Sequence, residues 1–191
     1  MYLGLFNAFT TLLQQILSPY GYSDNDAGIA GAVLIITGLV VAAVVSPLVD
    51  RFHVFLPVAR ILLILVSICY LAFIWVIRAN AYAGICVLCG VLGAASFSLL
   101  PLALELSVEL SHPVPPEVSA SIYWIGGQLV GGLFIIIMNA LRDDVGVGDP
   151  PENMTRALIF EAVVAWVAAP WFYFIKAKRR RLDMDINARY K

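Results

Sequence analysis

In the stretch IYWIGGQLVGGLFIIIMNA, residues 122–140, one glutamine and one asparagine stand among apolar and glycine residues. On a helix Trp124, Gln128, Gly131, Ile135 and Asn139 share a face, because they follow a spacing of 4, 3, 4 and 4. An amide in hydrocarbon is costly unless it meets a partner, a water or a ligand. Trp124, one turn from Gln128, offers an aromatic surface that could stack on an organic solute or attract a cation. The chemistry on offer is recognition rather than bond making. A second polar set lies near the start of the chain, where Thr10, Thr11, Gln14, Gln15 and Ser18 follow Asn7 at 3, 4, 7, 8 and 11 residues and gather on one stripe of a helix. Such a stripe is either a wall of an aqueous or substrate pathway or a seam of interhelical hydrogen bonds. Six uncharged polar groups exceed what a packing seam requires, which favours the pathway.

Other reactive side chains point elsewhere. Glu105 and Glu109 are spaced i,i+4, with His112 shortly after. A metal reading is open to them, but at a helix end beside Pro113, Pro115 and Pro116, with no further ligand near, they read as an interfacial charge cluster. No metal site is expected. Cys69, Cys86 and Cys89 all fall in apolar runs, and the C-x-x-C of the last two has no neighbouring His or acid. Glu161, about one turn into an apolar run, is expected to pair with Arg156 or Arg142. No phosphate-binding loop, nucleophile elbow or zinc-protease signature occurs. The chain therefore does not read as an enzyme, and it implies no cofactor and no nucleic-acid partner.

These residues need elements that hold them in a bilayer. Of 191 residues 61% are hydrophobic and 13% charged, with mean hydropathy +0.89, outside the range of a water-soluble domain. Apolar stretches at about 27–49, 55–77, 81–110, 118–141 and 157–175 approach the ~20 residues that cross ~30 Å of hydrocarbon. A shorter, more polar first span covers about 2–17, so spans and loops occupy 1–178 and a basic tail 179–191. From Leu104 to Ser111 apolar and polar residues alternate like a half-buried strand. An open strand at the end of a lipid-embedded run would leave backbone groups unpaired, so the segment is expected to continue the preceding helix.

Charge placement gives an orientation. The cluster Lys176–Arg181 follows the last span and should be cytosolic, which with six spans puts both termini inside. Arg51, Arg60, Arg189 and Lys191 then join it, while only Arg78, Arg142 and Arg156 fall outside with most of the acids. A sequon, Asn153-Met154-Thr155, lies in an outer loop, close to the last span.

Two patterns carry a resemblance. The segment Ser46-Pro47-Leu48-Val49-Asp50-Arg51-Phe52, followed by Arg60, resembles the G-x-x-x-D-R-x-G-R-R loop between the eighth and ninth spans of major facilitator transporters, with Ser46 for the leading glycine and the second glycine missing. The stretch LPLALELSVELSHPVPPEVSASIYWIGGQ, Leu100 to Gln128, resembles the tenth and eleventh spans of the feline leukaemia virus subgroup C receptor-related family, solute carrier family 49. The resemblance implies an all-α membrane protein whose six transmembrane helices form one half, a 3+3 inverted repeat, of a major facilitator fold. Some members move choline, ethanolamine or related solutes through a central site. On that likeness Gln128 falls on an eleventh-span glutamine bordering the site, Asn7 falls where relatives can carry an aromatic residue, and Trp124 replaces a smaller polar residue.

The implied activity is transport of a small organic solute by alternating access, in the plasma membrane or a vacuolar or lysosomal membrane. Gln128, Trp124, Asn7, Thr11 and Gln14 are expected to line the substrate pathway, and Asp50, Arg51, Glu105 and Glu109 to act at the cytosolic face. The expected partners are the bilayer, the solute, and an N-terminal half or second six-span chain. The chain reads as the C-terminal half of such a transporter, as a fragment or truncated form; a split half-transporter or a six-span adaptor without transport are the alternatives.

Overall fold

In a computed structural model of the chain the described residues are 1–52, 55–78, 81–111, 113–143 and 150–174. Helices α1 (Tyr2–Leu17), α2 (Asp24–Phe52), α3 (Phe55–Arg78), α4 (Tyr82–Ser111), α5 (Pro116–Ala140) and α6 (Thr155–Phe174) follow in order, with one 3-10 turn at Ser18–Tyr20. No strand occurs among the described residues. The alternating segment Leu104–Ser111 is helical to its last residue, as the solvent argument requires. The basic tail, His112, Asp144 and Asp149 lie outside the described residues.

Local signals set the helix ends. The Ser18–Tyr20 turn closes on Gly21, whose φ of 83° places it in the left-handed region that glycine enters without steric cost. Ser23 then starts α2 with a reciprocal cap: its Oγ accepts the Asp26 N–H at 3.2 Å, and Asp26 Oδ2 accepts the Ser23 N–H at 2.9 Å. Helix α5 begins with Pro115 at its cap and Pro116 in its first turn, where a missing N–H costs nothing. Before α6, Asn153 Oδ1 accepts the Thr155 N–H and its Nδ2 donates to the Pro150 carbonyl. This sequon asparagine is thus buried and committed to the helix start.

Among the described residues four helices, α2, α3 as far as Ile77, α4 and α5, are long and apolar enough to cross a membrane. Helix α1, with 16 residues, is shorter. Large apolar side chains lie exposed along α2 (Ile36, Val40, Val44), α3 (Ile61, Trp75), α5 (Ile122, Leu129, Ile136) and α6 (Val163, Val167). In water such surfaces would drive aggregation; lipid accepts them. The protein is a multi-pass integral membrane protein.

Packing is organised around α1. Its apolar face, Leu5, Ala8, Phe9, Leu12, Leu13, Ile16 and Leu17, forms the centre of the main core, where Phe9 meets Tyr70 and Phe73 of α3 edge-on. Two pairs, α2 with α4 and α1 with α5, cross at glycines. A methyl group on Gly93 would overlap the Leu34 carbonyl of α2, and one on Gly4 would lie 2.9 Å from the Gly131 nitrogen of α5. Small residues let backbones approach in lipid, where dispersion and close fit drive association. A smaller cluster of Val49, Ala59, Leu63, Leu99 and Leu102 joins α2, α3 and α4 near the other ends of these helices.

Candidate functional site

Helix α1 buries its apolar face and turns its polar stripe outward. Thr11, Gln14, Gln15 and Ser18 are exposed and Asn7 and Thr10 half-buried, so none is sealed beneath a neighbouring helix. The glycine crossing with α5 then brings two of the expected site residues together. Asn7 lies against Gly131, and its Nδ2 donates to Gln128 Oε1 at 3.1 Å. This bond uses one Asn7 donor and one Gln128 acceptor, and leaves the Gln128 amide hydrogens on an exposed surface.

Beside this pair a cavity of about 190 Å³ opens between α1, α4 and α5. Asn7 and Trp124 form part of its wall, together with Phe6, Ser96, Phe97 and Tyr123. Phe6 and Phe97 meet edge to face at 5.5 Å, and Trp124 remains 44% exposed at the mouth. Ser96 Oγ is buried and has no hydrogen-bond partner. The wall offers aromatic faces to an apolar or cationic solute with the Asn7 amide beside them, while Gln128 is not part of the wall and is joined to it through its bond to Asn7.

The other expected site residues lie apart. Thr11 donates to the Asn7 carbonyl at 2.7 Å and Thr10 to Phe6, so both hydroxyl protons are used within the helix. Gln14 sits farther along the stripe, donating to Asp24 Oδ1 at 2.8 Å. At this end the Tyr22 and Tyr82 rings meet at 5.7 Å with a 35° tilt, Tyr82 donates to the Asp26 carbonyl and Tyr20 meets Thr155, tying α1, α2, α4 and α6 together. Burial, with the Asp26 charge nearby, pushes the Tyr22 hydroxyl above its usual pKa.

Asp50 and Arg51 occupy the last turn of α2 rather than a loop, because the helix runs on to Phe52. Both are exposed, and Arg51 is placed where the helix dipole favours a cation. Glu105 is exposed and Glu109 half-buried in the last two turns of α4. No group of three metal-ligating side chains forms among the described residues. One expectation fails. Glu161 makes no ion pair, since Arg142 binds Glu152 and Arg156 binds Asp143 at 3.3 Å. Both arginines are held by the acids of the 143–152 connection, and Glu161 faces the core instead.

Sequence reasoning missed the aromatic wall. Phe6, Phe97 and Tyr123 lie in apolar runs where nothing distinguishes a cavity lining from a core residue. Their signal was adjacency: Phe6 precedes Asn7, Tyr123 precedes Trp124, and Phe97 sits between two serines.

The fold and its exposed apolar faces define a multi-pass helical membrane protein. No protein-family model matches the chain. It is 34% identical over 194 residues to solute carrier family 49 member A3 of Danio rerio, an alignment that takes in 97% of this chain and 41% of that protein. Identity to the member A3 protein of Xenopus tropicalis is 31% over 197 residues, with the same coverage. The choline/ethanolamine transporter FLVCR2 of Homo sapiens is 26% identical over 179 residues, 93% of this chain and 33% of the relative. The chain is a homologue of the solute carrier family 49 proteins, and it spans about two fifths of the length of the first two of these relatives.

Proposed function

We propose that this chain forms one six-span half of a facilitator-type transporter that moves a small organic solute by alternating access. The observation that carries this reading is the outward polar stripe of α1, joined through Asn7 to Gln128 beside an aromatic cavity. A packing seam would be covered; this one faces away from the bundle, where a second half would complete the pathway.

Pairing of the helices supports a 3+3 inverted repeat. Exchanging α1, α2 and α3 for α4, α5 and α6 turns the α1–α5 crossing into the α4–α2 crossing, and both rest on glycine contacts. Helices α3 and α6 pack on each other and present apolar residues to lipid, while α1 and α4 lie inward. In such folds the solute sits near the midplane where the two halves meet. Helix α1 would span with the help of its neighbours, and the end carrying Ser18–Ser23 would face outward, opposite a cytosolic tail.

The relatives named choline/ethanolamine transporters suggest a small amine or quaternary ammonium solute, for which Trp124, Phe97 and Tyr123 supply aromatic faces. Gln128 and Asn7 fix its polar end, and the last turns of α2 and α4, with Asp50, Arg51, Glu105 and Glu109, form the cytosolic latch. Radiolabelled choline and ethanolamine uptake tests the assignment. Replacing Gln128 by Ala removes an amide contact to the solute worth ~1 kcal/mol, so uptake is expected to fall about fivefold at unchanged abundance. Unchanged uptake in Gln128→Ala would remove Gln128 from the site.

A further inference from the structure

The aromatic cavity has a neighbour. A second cavity, of about 340 Å³, opens toward the end of α4 that carries Glu105 and Glu109, with Leu106, Ser107 and Leu110 of that end in its wall. Tyr2, Leu99 and Tyr123 belong to the walls of both cavities, so the two spaces meet at these side chains. They come from α1, α4 and α5, the helices that frame the aromatic cavity.

The two walls differ in chemistry. The first brings together Asn7 and the rings of Phe6, Phe97 and Trp124. The second has instead Leu63 of α3, Ala103, Leu106 and Leu110 of α4 and Ala168 of α6, with Met1 at one side. Two of its hydroxyl protons are spent inside the protein: Ser107 donates to the Leu104 carbonyl at 2.7 Å, and Tyr2 to the Ala165 carbonyl at 2.7 Å. Among the described residues Tyr123 brings the only other side-chain hydroxyl to this wall. Water finds few partners in such a space, whereas a hydrocarbon chain gains by leaving water for it.

We propose that the solute is an amphiphile, a small ammonium head on a single hydrocarbon chain. The head lies among Asn7, Phe97 and Trp124, and the chain passes between Tyr2, Leu99 and Tyr123 into the second cavity. The aromatic faces attract the cation, and each methylene that leaves water for the apolar wall tightens binding by up to about fourfold. This deepens the transport reading and rests on it for movement of the solute, while binding of the amphiphile is measured apart from movement.

Isothermal titration calorimetry on the full-length protein in nanodiscs reads the affinity of alkyltrimethylammonium ions whose variable chain runs from methyl to hexyl. Affinity should rise with each added carbon, and Ala103→Phe, whose ring fills the second cavity, should flatten the series. The ratio of hexyl to methyl affinity is taken within each variant, so a general loss of binding does not mimic the effect. Leu110→Gln, at a position 44% exposed, should also lower that ratio, and it serves as the test should Ala103→Phe fail to fold. A flat series in the wild type overturns the proposal and leaves the transport reading standing. A series equally steep in the wild type and both variants overturns it as well, since the chain then lies elsewhere, and so does the failure of every member to bind. A steep series flattened by Ala103→Phe, in a protein whose proteoliposomes take up neither choline nor the hexyl ion, supports the amphiphile site and counts against transport alone.

Discussion

The two glycine crossings have the same construction and different cargo. Where α2 meets α4, Gly38 and Gly93 bring the backbones together beside Phe97 and Leu34, with Val33 and Thr37 against the neighbouring Gly90. Where α1 meets α5, Gly4 and Gly131 do the same, but the crossing carries Asn7 and Gln128 on its open side. Close approach at α2–α4 holds the bundle together. The same approach at α1–α5 also brings two amides from distant parts of the chain into hydrogen-bond range. A repeated packing device carries the proposed site on one of its two copies.

Glycine substitutions separate these roles. The largest effect is expected from Gly93→Ala, whose methyl group meets backbone rather than a movable side chain. The helices would have to part, at a cost of about 3 kcal/mol, and folded protein should be lost from a size-exclusion profile. Gly131→Ala is milder, because the added carbon lies 3.3 Å from Asn7 Cβ and from the Gly4 carbonyl oxygen. A shift of tenths of an ångström suffices, so thermal stability should fall by about 1 kcal/mol while uptake falls further, as the Asn7–Gln128 bond is displaced. If both crossings were purely structural, stability and uptake would fall together. The smallest change belongs to Gly132→Ala, which meets nothing within 4 Å and should stay within about 1 kcal/mol of wild type, on the stabilising side.

Much of this face could be read from residue spacing. Asn7 to Ser18 follow helical periodicity on a helix whose other side is apolar, and Gln128 is conspicuous in an apolar run. Hydrocarbon makes each stranded polar group a question, which is why these residues stood out. Their bond could not be read, since Asn7 and Gln128 are 121 positions apart and meet only because Gly4 and Gly131 let the helices close. The fate of Glu161 was hidden for a related reason. Arg156 is five positions away along the chain, yet Asp143, distant in sequence, binds it first. Local spacing names candidates for an ion pair, and competition in three dimensions chooses among them.

The central claim is that the α1 stripe and Gln128 line a wet pathway while α3 faces lipid. Single cysteines at Thr11, Gln128 and Ile61, placed in a full-length background with Cys69, Cys86 and Cys89 replaced, can be challenged with a membrane-impermeant maleimide. The account predicts labelling at Thr11 and Gln128, reduced by excess choline, with Ile61 unreacted. Protection of Thr11 and Gln128 together with labelling of Ile61 would contradict it.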